Sequence, residues 1–205
     1  MTLKTSKRAT PHQDRSQKTM ERVLAAAAEL LEEVGFERLS TNMICKRAGL
    51  TPPALYRYFP NKYAVLKELG ERLMEAQNAL LDDWDPAADS LVPQIEAFLR
   101  ETLTVTRQFK AGGWIMRSLH ATPVLSDVRL ESHRRMAQFM TDRALQHFPT
   151  LNEAAAFASA RIGVELGYAT IEMLFDEPAV DESAAIRMTA EMLAHNQRQL
   201  MRTLD

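Results

Sequence analysis

Between Ser40 and Pro60 the chain has room for two short helices and little else. Ser40-Thr41 offers an N-cap, Ile44 and Ala48 stand four residues apart on one face, and Gly49 ends the segment after roughly two turns. Thr51-Pro52-Pro53 starts a second helix at once. A threonine cap followed by proline suits a helix start, because first-turn amides have no intrahelical acceptor to lose. This helix runs from Pro52 to about Phe59 and halts before Pro60. Two short helices joined by Gly49-Leu50-Thr51 have the turn length of a helix-turn-helix, whose second helix enters the major groove of DNA.

The facing of the second helix follows from its angles. With Leu55 at 0° and about 100° per residue, Phe59 falls near 40°, and the two define the core side. Arg57 (about 200°) and Pro53 (about 160°) point away from it, towards base edges if DNA is bound. Tyr56 and Tyr58 fall near 100° and 300°, on opposite flanks, where phenolic hydroxyls reach phosphates. Burying all three rings of Tyr56-Arg57-Tyr58-Phe59 as an aromatic core would force Arg57 inward, so that reading is set aside.

The remaining segments are helical too. Arg15 to Val34 repeats Val23, Leu24, Ala27, Leu30, Leu31 and Val34 at helical spacing, with Gly35 as its stop. Asn61 to about Asp83 keeps Tyr63, Leu66, Leu69, Leu73, Ala76 and Leu80 on one stripe and ends in the segment DDWDPAAD. Beyond it come Ser90–Phe109, a Gly112-Gly113 break, Trp114–His120, Val124–Phe148, Leu151–Phe175 and Ser183–Leu204. No segment alternates with period two, so the chain reads all-α with about nine helices. The expected organisation is a basic flexible arm (1–18), a helix-turn-helix DNA-binding domain (19–65) and a larger helical effector-binding and dimerisation domain (66–205).

These features together resemble the TetR family of transcriptional regulators over about Met20 to Leu66. The pieces are the Ala-rich first helix closing on Val34-Gly35-Phe36, the Ser40-Thr41 start, Ile44 with Ala48-Gly49-Leu50, and Leu55-Tyr56-x-Tyr58-Phe59-x-Asn61-Lys62. The resemblance implies that Thr41 and Asn42 sit at the DNA end of the second helix. It implies Thr51, Pro53, Tyr56, Arg57 and Tyr58 on the recognition helix, and Lys62 on a phosphate at the start of the fourth. Cys45 stands where alanine is usual and Tyr58 where histidine is often found. Cys45 reads as a small buried apolar residue rather than a redox switch.

Charge agrees with this placement. Residues 1–62 hold eleven Lys and Arg against six Asp and Glu, a balance of +5, and the other residues carry −7. A positive third on a negative remainder fits a chain whose first part meets a polyanion. A single cysteine forbids an intrachain disulfide and multi-cysteine metal sites, which suits a cytoplasmic setting. No apolar run is long enough to span a bilayer, and no cofactor or metal is expected.

After about residue 70 the resemblance fades. Leu151–Phe175 carries Ala156, Ala160, Gly163 and Gly167 at three- and four-residue steps, and Ser183–Leu204 repeats Ile186, Ala190, Leu193, Gln197, Leu200 and Leu204. Such faces admit a close helix partner, and the family resemblance implies a homodimer through these two helices. Phe98, Thr102, Phe109, Trp114, Met116, Arg117, His120, Phe139 and Met140 supply aromatic and methionine side chains with a few polar ones. From these, Phe98, Thr102, Trp114, Arg117, His120, Phe139 and Met140 are the candidate contacts of a small, largely apolar effector. Two other readings stay open. One is a DNA-binding protein governed by a protein partner, or organising DNA; the other is an all-α enzyme, although the five histidines are scattered and neither a nucleophile–base pair nor a phosphate loop is present.

Overall fold

The computed structural model of the chain describes residues 11–82, 84–87 and 91–202. The described residues form nine α-helices and two 3-10 turns, with no strand among them. The chain divides into two compact units, Met1–Leu69 and Gly70–Asp205.

The first unit holds α1 (Pro11–Arg38), α2 (Thr41–Ala48), α3 (Pro52–Tyr56) and the start of α4 (Lys62–Asn78). Residues 1–10 of the expected arm lie outside the described residues. Residues 11–18 are the opening turns of α1 rather than an arm. Gly35, at φ 74° and ψ 173°, leaves helical geometry near the end of α1, as the sequence stop required. Val23, Leu24, Ala27 and Leu31 of α1 are buried together with Ile44, Leu55, Val65 and Leu66, so the stripe read from α1 is this unit's core. Tyr63 departs from the expected α4 stripe. It is exposed, its ring tilted against Phe36 at 6.1 Å between centroids.

The second unit contains the rest of α4 with α5 (Leu91–Gln108), α6 (Gly112–Ala121), α7 (Ser126–His147), α8 (Glu153–Asp176) and α9 (Glu182–Arg202). Helix α7 lies along α8, and α5 and α8 both pack on α9. On α8 the small residues face inward. A side chain at Gly167 would meet Leu99 at 3.2 Å, and one at Gly163 would meet Leu193 at 3.7 Å. Gly163 and Gly167 of the Ala/Gly stripe, and Ile186 and Ala190 of the α9 repeat, therefore meet neighbours within the chain. The outward apolar residues of the pair are Ile162, Leu166 and Met173 on α8 and Met188 and Met192 on α9.

Candidate functional site

The helix-turn-helix is fixed from both sides. Ser40 caps α2, its Oγ accepting from Met43 N at 3.3 Å, and Gly49 closes it in the left-handed region at φ 62°, with Leu50 N donating to Cys45 O. Arg22 on α1 reaches across and donates to the Ala48 and Gly49 carbonyls, satisfying acceptors that the end of α2 leaves open. Arg47 binds Glu29 and Glu33 of α1 at 3.0 and 2.7 Å. Nothing in the sequence marks Arg22 out, because a basic residue on the outer face of a helix gives no sign of which carbonyls it will meet.

Helix α3 is shorter than expected, five residues instead of about eight, and Thr51 makes no side-chain cap bond. Thr51 O still accepts from Ala54 and Leu55 N, and Leu55 O accepts from Tyr58 and Phe59 N, so a turn carries the chain on to Phe59. Leu55 and Phe59 are buried while Pro53, Tyr56 and Arg57 are exposed, as the angular reading required. Asn42 and Thr51 are also exposed, and Thr41 and Tyr58 are half-buried. Thr41 Oγ1 and Tyr56 Oη lie 3.2 Å apart, bringing the start of α2 to the recognition helix. The Arg57 guanidinium stands 5.9 Å over the Tyr58 ring.

Lys62, which the resemblance places on a phosphate, is also engaged within the chain. Its Nζ donates to Phe36 O at 3.0 Å and lies 4.5 Å over the Phe36 ring, tying the start of α4 to the end of α1. It also donates to Glu37 O at 3.4 Å, and since an ammonium has three donors, these two bonds leave one for a phosphate but lower its freedom to reach. Cys45 is buried, and burial pushes its thiol up, in keeping with a packing role.

In the second unit a cavity of about 90 Å³ lies among α5, α7, α8 and α9. Phe98, Thr102 and Met140 of the sequence-derived set line it. The others do not. Trp114 is exposed with Arg117 beside its ring, Arg117 pairs with Asp176, and His120 pairs with Glu172 at 3.1 Å on the surface. Phe139 borders a separate depression with Glu71, Asn78 and Arg135. Met116 is buried beside Gln77, and Phe109 is half-buried at the end of α5. The missing members come from the sequence's inconspicuous places: Trp84, buried in the Asp-rich segment that reads as a connection, and Gly163, Gly167 and Tyr168 on α8.

No α4 residue lines the cavity, but α4 is bonded to its wall. Tyr168 Oη donates to Gln77 Oε1 at 2.9 Å, and Gln77 Nε2 donates to Thr106 Oγ1 at 2.7 Å. His133 stacks on Tyr168 with centroids 4.2 Å apart, and its Nδ1 lies 3.1 Å from Glu165 Oε1. Burial outweighs the carboxylate and holds His133 well down, at about 4, so the imidazole is neutral and donates Nδ1–H to Glu165. Arg129 and Arg161 bind the same carboxylate.

Among the described residues no cluster of three or more His, Cys, Asp or Glu could hold a metal ion, and no helix is long and apolar enough to cross a membrane. A family model described as bacterial regulatory proteins, tetR family, matches residues 23–69. The class C tetracycline repressor of Escherichia coli is 39% identical over 69 residues, which cover 31% of this chain and 32% of that protein. The chain thus spans about a third of the length of that relative. The transcriptional regulator UidR of Escherichia coli K12 is 27% identical over 184 residues, covering 84% of this chain and 89% of that one. A TetR-family regulator structure from Syntrophomonas wolfei superposes with TM-score 0.70 at 15% identity, over 88% of this chain and 95% of the other, a likeness of fold.

Proposed function

Because the chain belongs to the TetR family of DNA-binding transcriptional regulators, we propose that it is a ligand-responsive repressor that binds a near-palindromic operator as a homodimer. Membership in a family of regulators sets the all-α enzyme reading aside. The observation that carries the DNA reading is the arrangement of α2 and α3. Arg57, Tyr56, Pro53, Thr51 and Asn42 are exposed opposite a sealed Leu55/Phe59 core, and Thr41 meets Tyr56. Arg57 and Pro53 read bases; Thr41, Tyr56, Tyr58 and Lys62 hold phosphates.

The repressor and effector reading is supported by the cavity in the second unit and by the bond from its wall to α4. Helix α4 begins at Lys62 in the first unit and carries Gln77 in the second, so an effector that changes Tyr168 changes what holds Gln77. Linkage then requires the effector to bind the DNA-bound and free conformations with different affinity. Dimerisation is supported by the outward apolar residues on α8 and α9, since one short recognition helix contacts too few base pairs to be selective alone.

Genome-wide mapping of bound sites tests the whole reading. A few near-palindromic sites, released by small-molecule extracts, are the expected result. Many evenly dispersed sites would favour the DNA-organising alternative, and a co-purifying protein with an unliganded cavity would favour partner control.

A further inference from the structure

We propose that the cavity takes an uncharged molecule, an apolar body bearing one neutral group that both donates and accepts a hydrogen bond, as a small aromatic alcohol does. This rests on the effector-binding reading of the same cavity and adds the chemical class.

Every side chain lining the cavity, among the described residues, is uncharged. An ion drawn in would lose its hydration with no opposite charge to meet it, which costs far more than burial of its apolar part returns. Glu165, which belongs to the polar cluster around Tyr168, is already held by Arg129, Arg161 and the His133 Nδ1–H, and it is not in the wall. The inner polar groups have spent their hydrogens as well. Thr102 Oγ1 donates to Phe98 O at 2.8 Å, Thr141 Oγ1 to Ala137 O at 2.7 Å, and Tyr168 Oη to Gln77 Oε1. An anion buried there finds no cation, and an ammonium finds no carboxylate.

The polar side chains with capacity left sit on α8 and α9. Asn196 Nδ2 donates to Ser159 Oγ at 2.8 Å, which leaves the Ser159 hydroxyl hydrogen and Asn196 Oδ1 for a guest, with Gln197 beside them in the wall. A hydroxyl answers both at once, because it accepts from the first and donates to the second. The opposite walls are Phe98 and Leu99 on α5 and Met136 and Met140 on α7, so the apolar body lies there. The present volume of about 90 Å³ is below the roughly 150 Å³ that admits a benzene ring in an engineered apolar cavity, and the two unbranched methionines are the side chains able to give way.

The test uses the full-length protein at pH 7 and four probes of one shape: benzyl alcohol, toluene, benzoate and benzylammonium, followed by calorimetric titration. Benzyl alcohol and toluene bind, and each ion binds at least ~10-fold more weakly than the alcohol. Asn196→Leu, an exposed position that leaves folding intact, weakens the alcohol about fivefold, the worth of one neutral hydrogen bond, and leaves toluene unchanged. Ala160→Phe, which fills the cavity, abolishes both, with circular dichroism checking the fold. Either ion binding as tightly as the alcohol, and losing that binding in Ala160→Phe, overturns the uncharged class while the sensor reading stands. Alcohol binding unaffected by both substitutions overturns the assignment to this cavity. Failure of all four probes removes the cavity as an effector site, and with it the ligand-responsive reading, but leaves DNA recognition untouched.

Discussion

The Tyr168 hydroxyl donates to Gln77 Oε1 at 2.9 Å across 91 residues of chain, and both side chains are sealed from water. Gln77 passes the bond on to Thr106 Oγ1, and Thr106 donates to Thr102 O. Removing the phenol oxygen leaves a buried amide carbonyl unpaired, which costs about 1–3 kcal/mol. Tyr168→Phe should therefore lose about that much stability in urea denaturation. Adding Gln77→Leu should cost less than the sum of the two single changes, because the orphaned acceptor then disappears. Strict additivity would mean that the bond contributes nothing.

Acid should weaken the second unit before ordinary carboxylates titrate. His133 falls from its ordinary 6.5 to about 4 because burial disfavours the imidazolium, with Glu165 opposing that and Arg129 and Arg161 adding to it. Between those values the unfolded chain binds a proton that the folded chain refuses. Stability is thus whole above about 6.5 and falls as pH drops towards about 4, by about 3 kcal/mol over the window. Burial raises the Glu165 carboxyl, but His133 and Arg161 outweigh it and hold the group below its ordinary value, so its loss comes lower in pH. His133→Gln should flatten the upper window when melting temperature is followed against pH. An unchanged slope would assign the acid sensitivity to other groups.

The turn of the helix-turn-helix depends on two end groups. Ser40→Ala removes the acceptor for Met43 N and should cost about 1 kcal/mol. Gly49→Ala forces a Cβ into the left-handed region and to within 3.2 Å of the Arg22 guanidinium, which should cost about 1 kcal/mol and displace Arg22 from the Ala48 carbonyl. Denaturation monitored by helicity checks both, and Gly49→Ala should also weaken DNA binding.

Residues whose partners lie within a turn or two were legible in the sequence, and those whose partners lie far along it were not. The Ser40 cap, the Gly49 stop and the sealed Leu55/Phe59 face follow from local spacing and are all present. The end of α3 at Tyr56 is not legible in the sequence, because a turn can continue a helical course without the helix. In the second unit, periodicity told which segments are helices but left undecided which neighbour each face meets. The Ala/Gly stripe of α8 packs inward against α5 and α9, and Trp84 enters the cavity wall from a polar segment. Of the candidate effector contacts, Trp114, Arg117 and His120 share α6, whose outer face turns to solvent and to Asp176 and Glu172.

The outward residues of α8 and α9 predict where the proposed dimer is most easily broken. Ile162 and Met192 are each 57% exposed, and they recur with Leu166, Met173 and Met188 at helical steps. A charge there meets nothing in the isolated chain, so Ile162→Arg and Met192→Arg should leave the melting temperature of the monomer nearly unaltered. In a dimer buried at this face each should be strongly disruptive. Light scattering should show monomers, with operator affinity falling by orders of magnitude as half-site cooperation is lost. A persistent dimer would place the interface elsewhere.

Arg57 and Lys62 should fail in different ways. Arg57 is exposed on the side opposite Leu55 and free to approach a guanine edge, where a bidentate contact discriminates by about 1–3 kcal/mol. Arg57→Ala should therefore lose preference at one position of each half-site while retaining the rest. Lys62 is tied to Phe36 O and its ring, so Lys62→Ala carries two costs. It weakens all sequences alike, lowering the salt slope by about one per half-site contact if the ammonium also reaches a phosphate, and it loosens the join between α1 and α4. Lys62→Met, which keeps the apolar contact, should recover part of the stability but none of the salt slope. A randomised operator library read at several salt concentrations separates these outcomes. If Arg57→Ala lowers affinity uniformly with base preference intact, base reading passes to Asn42, the exposed residue at the start of α2 beside the Thr41–Tyr56 pair.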